Sequence, residues 1–237
     1  GCQTSAKTGG FTSYDEHYQK NETTLKEDAL SDRWESRGSK VAVVSKEKAD
    51  NNDYPEAKEV LLVNNTKNKV IVSQKVFDQA YPASTTKIMT AYVALKYGNL
   101  DDIVTASERA TDFAEDEQVC GLQAGDQLSL RDLLNGLLLY SGNDCAVAIA
   151  EHVSGSVEAF VDKMNEEARN LGATGTHFVN PHGLQNEDHY TTAYDLYLMF
   201  NACLQNPQFV EMISQTSYTA NLTSASGVPY TMTWEPT

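Results

Sequence analysis

The sequence predicts an α+β protein, with an antiparallel sheet and a helical lobe. Two observations carry this. β-Branched runs cluster near both ends, at Glu59–Asn64 and Lys69–Gln74 and again at Ser217–Thr223 and Pro229–Thr233. Between them lie stretches with apolar residues at helical spacing, and strands flanking a helical block belong to the α+β class rather than to alternating βαβ units. The chain has 237 residues, 41% of them hydrophobic and 22% charged, enough for one sizeable core or a domain with a subdomain.

The elements follow in order. Residues 1–40 are rich in Ser, Thr, Gly, Glu and Lys and poor in aliphatics, so they read as a flexible tether. Such a coil spans about 35 Å r.m.s., with room for some helix around Glu22–Trp34. The folded domain is expected over 41–237, starting at Val41–Ser45. Asn65-Thr66-Lys67-Asn68 between two β-branched runs reads as a hairpin turn. A helix is predicted over Ser84–Tyr97, then an acidic and mostly helical stretch. Leu130–Tyr140 is nearly all apolar and predicts a buried helix. Ser141-Gly142-Asn143 interrupts it, helix resumes over Asp144–Val153, and Val157–Leu171 is amphipathic. Further helices are predicted over Thr192–Leu204 and Gln208–Ser214.

The formal net charge is -15, which argues against nucleic acid as a partner. Between Asp101 and Asn170 there are 15 Asp and Glu against four Lys and Arg, and no Lys or Arg follows Arg169. No apolar stretch is long enough to span a bilayer. Of the four cysteines, Cys120, Cys145 and Cys203 read as small core residues; their spacing indicates neither a zinc site nor a disulfide framework, and no metal or cofactor is expected. Cys2 differs. A cysteine ahead of a long polar tether reads as the lipid-modified residue of a bacterial lipoprotein, held on the outer face of the cytoplasmic membrane after removal of a signal peptide. The plain alternative is an ordinary cysteine.

Ser84-Thr85-Thr86-Lys87 carries the chemistry. Pro82 disfavours helix for the residue before it, and Ile88, Met89, Tyr92, Val93 and Leu95 follow at helical spacing, so Ser84 lies at a helix start. Lys87 comes one turn later on the same face, roughly 5–6 Å away at Cβ. A serine hydroxyl needs a base to become a nucleophile, and a lysine serves when burial lowers its pKa. Taken alone, Ser-x-x-Lys is also what a capping serine and a solvated lysine look like. Ser141-Gly142-Asn143 would present a hydroxyl and an amide from a tight break between two apolar helices, which is also the composition of a plain connection.

Together these segments resemble the serine-type D-alanyl-D-alanine carboxypeptidases, the low-molecular-mass penicillin-binding proteins. The run from Pro82 to Thr90 is similar to that family's first motif, and Leu138 to Asp144 to its second. Phe178-Val179-Asn180-Pro181-His182-Gly183-Leu184, with His189-Tyr190-Thr191-Thr192-Ala193, resembles a further segment typical of the family. The likeness runs from about Val41 onward. It implies a β-lactamase/penicillin-binding-protein-like transpeptidase fold. The family's third motif, Lys-Thr-Gly on a sheet strand, has no counterpart after Arg169, so the last sheet strands are expected to be missing through truncation. A literal Lys7-Thr8-Gly9 lies in the tether with no strand-like run before it and reads as chance.

The resemblance implies that Ser84 attacks the carbonyl between the terminal D-alanines of a peptidoglycan stem peptide, forming an acyl-enzyme. Lys87 is then the base, Ser141 relays a proton to the leaving amine, and Asn143 orients Lys87 or binds the substrate amide. The Ser84 N–H would give half an oxyanion hole. β-Lactams would acylate the same serine. The expected partners are therefore stem peptides, β-lactams and, through Cys2, a membrane. His182 and His189 read as packing residues of a loop, His152 as a surface or lobe residue. Two alternatives stay open. A class A β-lactamase shares the Ser-x-x-Lys logic, but its Glu-x-x-x-Asn loop matches only Glu166 to Asn170, on an amphipathic helix where Glu166 and Glu167 read as a solvated face. A non-catalytic penicillin-recognising or wall-binding lipoprotein would keep the fold without turnover.

Overall fold

The computed structural model describes residues 41–44 and 56–237. The chain divides into two compact units, Gly1–Gln74 and Lys75–Thr237. The expected tether, Cys2, Lys7-Thr8-Gly9 and the segment Glu22–Trp34 lie outside the described residues.

In the first unit, β1 (Val60–Asn64) and β2 (Lys69–Gln74) form an antiparallel two-stranded sheet with one irregularity between Leu62 and Val63. The turn is where the Asn-rich linker places it. The Asn64 carbonyl and side-chain oxygens both accept from the Lys67 N–H, at 3.2 and 3.0 Å, and Asn68 takes a left-handed φ of 48°. Asn tolerates that conformation better than most residues.

The second unit carries α1 (Thr86–Tyr97), α2 (Leu130–Leu139), α3 (Asn143–Ser154), α4 (Val157–Asn170), α5 (Ala193–Cys203) and α6 (Pro207–Ile213), with strands β3 (Ile103–Thr105), β4 (Gln127–Ser129), β5 (Tyr218–Thr223) and β6 (Pro229–Trp234). The helices fall where the apolar spacing places them. Their starts are fixed by side chains: Ser129, Ser156, Thr192 and Asn206 each accept from a backbone N–H of the first turn. A cap of this kind contributes about 1 kcal/mol. Ser129 and Asp132 cap reciprocally. α1 is buried nearly all round, at Met89, Ala91, Tyr92, Val93 and Ala94, because α2, α3, α4 and α5 all touch it. A helix apolar on every face can be stable only in such a setting.

The α+β class holds. β5 and β6 join β3 and β4 in the antiparallel order β3-β4-β5-β6, and β1 and β2 form a sheet of their own. The stretch after α1, expected to be mostly helical, is loop carrying β3, β4 and a 3-10 turn at Arg109–Thr111. Three-residue strands are too short for alternation to register. Their pairing is also distant, with Ile103 opposite Ser129 and Gln127 opposite Thr223. Gly121 and Gly125, at φ 94° and 88°, bend this loop as a helix could not. The sheet is fastened by polar tips: the Tyr218 hydroxyl donates to Asp132 at 2.8 Å, the Tyr230 hydroxyl to Asp126 at 2.5 Å, and the buried Trp234 indole to the Cys120 carbonyl at 3.3 Å.

Candidate active site

Ser84 sits on a 3-10 turn, Ala83–Thr85, that runs directly into α1. The turn is closed by the Thr85 N–H and hydroxyl, both donating to the Pro82 carbonyl. Ala83 holds a left-handed φ of 49°, which is costly for a residue with a Cβ and needs support from its surroundings. Gly183 provides it. Its φ is 97°, and a Cβ built there would lie 1.9 Å from the Ala83 carbonyl oxygen. The loop backbone therefore presses on the turn where only glycine fits. The Ser84 side chain is exposed and makes no hydrogen bond among the described residues.

Lys87, one helical turn on, is buried, with 4% of its surface exposed. Its Nζ donates to Asn143 Oδ1 and to the His182 carbonyl, both at 2.8 Å. These bonds use two of the three ammonium protons. Burial pulls the Lys87 pKa down to about 8, against the opposing pull of Cys120, Cys145 and Asp144. A lysine so placed is neutral often enough at neutral pH to accept a proton.

The segment 178–190 straps α1 in place. Thr90 donates to the Pro181 carbonyl at 2.5 Å, next to the His182 carbonyl that receives Lys87. His189 Nδ1 accepts from the Val179 N–H at 3.0 Å, so its proton sits on Nε2 and donates to Thr86 Oγ1 at 2.8 Å. His182 Nδ1 accepts from the Leu184 N–H, and its ring stands edge-on to Phe113. Burial lowers both histidines to about 4, with the Lys87 charge adding to the effect at His182. Both are neutral supports, in keeping with the packing role expected of them. His152 lies at the surface of the lobe against Asp102, 3.0 Å away.

Ser141-Gly142-Asn143 occupies the break between α2 and α3. Ser141 has a φ of 60°, is half-buried and makes no side-chain hydrogen bond among the described residues. Gly142 has no room for a side chain, since a Cβ would lie 2.4 Å from Cys120 Sγ. The Asn143 N–H donates to the Gln118 carbonyl at 2.9 Å. Asp144 anchors the facing loop by accepting from the N–H groups of Cys120, Gly121 and Leu122 at 2.8, 2.9 and 3.0 Å.

The structure thus brings Lys87 and Asn143 into contact. Residues that sequence reasoning missed are the supporting ones: Thr86, Thr90, Asp144, Gly183 and the Pro181 and His182 carbonyls. The signal was present for Gly183, as a glycine inside an Asn-Pro-His-Gly turn; a backbone carbonyl leaves no signal at all. Glu167 corrects the sequence reading. It is not a solvated residue but buried, accepting from Lys96 at 2.7 Å and from the Tyr97 hydroxyl at 2.5 Å. Its place at the end of the apolar face lets it tie α4 to the last turn of α1. Glu166 is exposed and pairs with Lys163. Cys145 and Cys203 are buried as expected, and Cys120 is half-buried.

Residues 45–235 match the peptidase S11 family, described as D-alanyl-D-alanine carboxypeptidase. The D-alanyl-D-alanine carboxypeptidase DacF of Bacillus subtilis is 39% identical over 155 residues, 63% of this chain and 39% of that protein. DacD of Escherichia coli is 36% identical over 173 residues, 68% of this chain and 44% of its own length. The chain thus spans about two fifths of the length of these curated relatives. Among solved structures, the Streptomyces K15 DD-transpeptidase superposes with a TM-score of 0.70 at 33% identity, over 74% of this chain and 71% of that one. The carboxypeptidase DacD of Francisella tularensis gives 0.66 at 32% identity, over 71% of this chain and 42% of that one.

Proposed function

Because the chain belongs to the D-alanyl-D-alanine carboxypeptidase family of serine peptidases, we propose that it is the Ser84-bearing part of an enzyme that removes the terminal D-alanine from peptidoglycan stem peptides. The observation that carries this is the buried Lys87, held by Asn143 one helical turn beyond an exposed, unencumbered serine. Ser84 Oγ attacks the carbonyl between the two D-alanines as Lys87 Nζ takes its proton. The tetrahedral intermediate collapses and its C–N bond breaks as Ser141 gives its proton to the departing amine and takes the proton held by Lys87, which leaves both groups as they began. Water then attacks the acyl-Ser84 ester, losing a proton to the same base, and frees the shortened peptide. Asn143 keeps Lys87 aimed at Ser84. A β-lactam presents a similar strained carbonyl and acylates the same oxygen.

Neither glutamate of the Glu166 to Asn170 run fits a deacylating base, since Glu166 is paired at the surface with Lys163 and Glu167 is committed to Lys96 and Tyr97. The work site is the cell wall, outside the cytoplasm, with Cys2 as lipid anchor. No helix among the described residues is long and apolar enough to cross a membrane.

Intact-mass measurement and peptide mapping of the natural full-length protein after β-lactam treatment test the assignment. One adduct is expected on Ser84, absent in Ser84→Ala. An adduct mapping to Ser141 or to a histidine would overturn it.

A further inference from the structure

Four consecutive residues at the start of α3 face one stretch of loop. The Asn143 N–H reaches the Gln118 carbonyl, Asp144 holds the N–H groups of Cys120 to Leu122, and Gly142 abuts Cys120 Sγ. Cys145 completes the set. Its sulfur, the Cys120 sulfur and an Asp144 carboxylate oxygen all lie within 4.8 Å of one another. Both sulfurs also press on α2 at Gly136, where a Cβ would stand 2.9 Å from each. Two sulfurs and a carboxylate could hold a cation, but this carboxylate is spent. It accepts from the N–H groups of Cys120, Gly121, Leu122 and Cys145, which fills the roughly four lone-pair sites a carboxylate offers. A pair of thiols remains.

We propose that Cys120 and Cys145 are a redox pair, which a small disulfide oxidant of the oxidised-glutathione class converts to a Cys120–Cys145 disulfide. Cys120 is the entry sulfur, because it is partly exposed while Cys145 is wholly buried. Burial pushes the Cys145 thiol well up, so the second step is the slow one. In the first step the Cys120 thiolate attacks one sulfur of the oxidant, the S–S bond breaks and one small thiol leaves with a proton. Cys145 then loses its proton, attacks the Cys120 sulfur and expels the second small thiol. Two protein thiols become one disulfide, and the oxidant's disulfide becomes two thiols. An extracytoplasmic protein meets oxidants of this kind. The bond ties the 118–122 loop to the first turn of α3 and closes the chain between them, restricting the unfolded state. It also locks the turn that carries Asn143. This chemistry does not depend on what Ser84 does.

The natural full-length protein, incubated with oxidised glutathione and then alkylated, decides the matter by intact mass and non-reducing peptide mapping. The expected product is a Cys120–Cys145 cross-linked peptide, a mass lower by two hydrogens, reversal by dithiothreitol, and a Tm several degrees higher when oxidised. Cys145→Ala should stop at a glutathione adduct on Cys120. Cys120→Ser alters a partly exposed residue, keeps the fold, and should remove the redox dependence of the Tm. Alkylation of both sulfurs after oxidation, a lasting glutathione adduct on Cys120 in the unmutated protein, or a cross-link to Cys2 or Cys203 overturns the proposal.

Discussion

Lys87 Nζ donates to Asn143 Oδ1 across 2.8 Å, joining the helix that begins at Ser84 to the break between α2 and α3. The bond spans 56 residues of sequence and both partners are buried. It fixes where the amine points, and the surrounding burial fixes how readily that amine gives up its proton.

The pH dependence of acylation follows. Burial lowers the Lys87 pKa to about 8, and only the neutral amine accepts a proton. The rate of β-lactam labelling of Ser84 should therefore rise with pH about tenfold per unit below 8 and level off above it. Asn143→Ala removes an acceptor that favours the charged form, so the midpoint should fall further. The loss of aim should cost about 10²-fold in the plateau rate. A profile flat between pH 6 and 9, or an unmoved midpoint in Asn143→Ala, counts against Lys87 as the base.

Two glycines with similar backbones separate strain from collision. Gly155 has a φ of 80° with nothing within 4 Å of a built Cβ, whereas Gly183, at 97°, would place one 1.9 Å from the Ala83 carbonyl. Gly155→Ala should cost about 1–2 kcal/mol of stability from left-handed strain alone. Gly183→Ala should cost about 1–3 kcal/mol more through overpacking. It should also slow Ser84 labelling, because the displaced atoms belong to the turn that carries Ser84. Urea unfolding and labelling rates check both, and equal losses in the two variants would show that the loop does not support the turn.

Glu167 separates the peptidase reading from a β-lactamase one. Removing its carboxylate strands Lys96 and the Tyr97 hydroxyl, so Glu167→Ala should destabilise the fold by about 3 kcal/mol. The lifetime of the β-lactam adduct on Ser84 should not change, nor should it in Glu166→Ala. A much longer-lived adduct in either variant would identify a deacylating base and reverse the assignment.

The proposed lipid anchor at Cys2 has a direct test. Replacing it by serine in the natural precursor should move the protein from the membrane fraction to the soluble one. Continued membrane fractionation of Cys2→Ser would show that another anchor operates.

Local features follow from short-range sequence. Helical spacing after Pro82 and the leucine-rich run of Leu130–Leu139 are set by neighbours within a few positions, so the helices and the placement of Ser84, Lys87 and Ser141 were legible. The α+β class followed from where the β-branched runs stand. Features that depend on residues far apart come from the packed fold. The short strands β3 and β4 exist because Ile103 meets Ser129 and Gln127 meets Thr223. Glu167 is buried because α4 delivers it to Lys96 and Tyr97, some 70 residues away. The Lys87 pKa is lowered because burial outweighs the acidic groups around it, a balance that spacing does not encode. Cys120 and Cys145 look like two unrelated small residues in the sequence. They meet because Asp144 gathers the loop N–H groups of Cys120 to Leu122 onto the start of α3, and a buried carboxylate must find such donors somewhere.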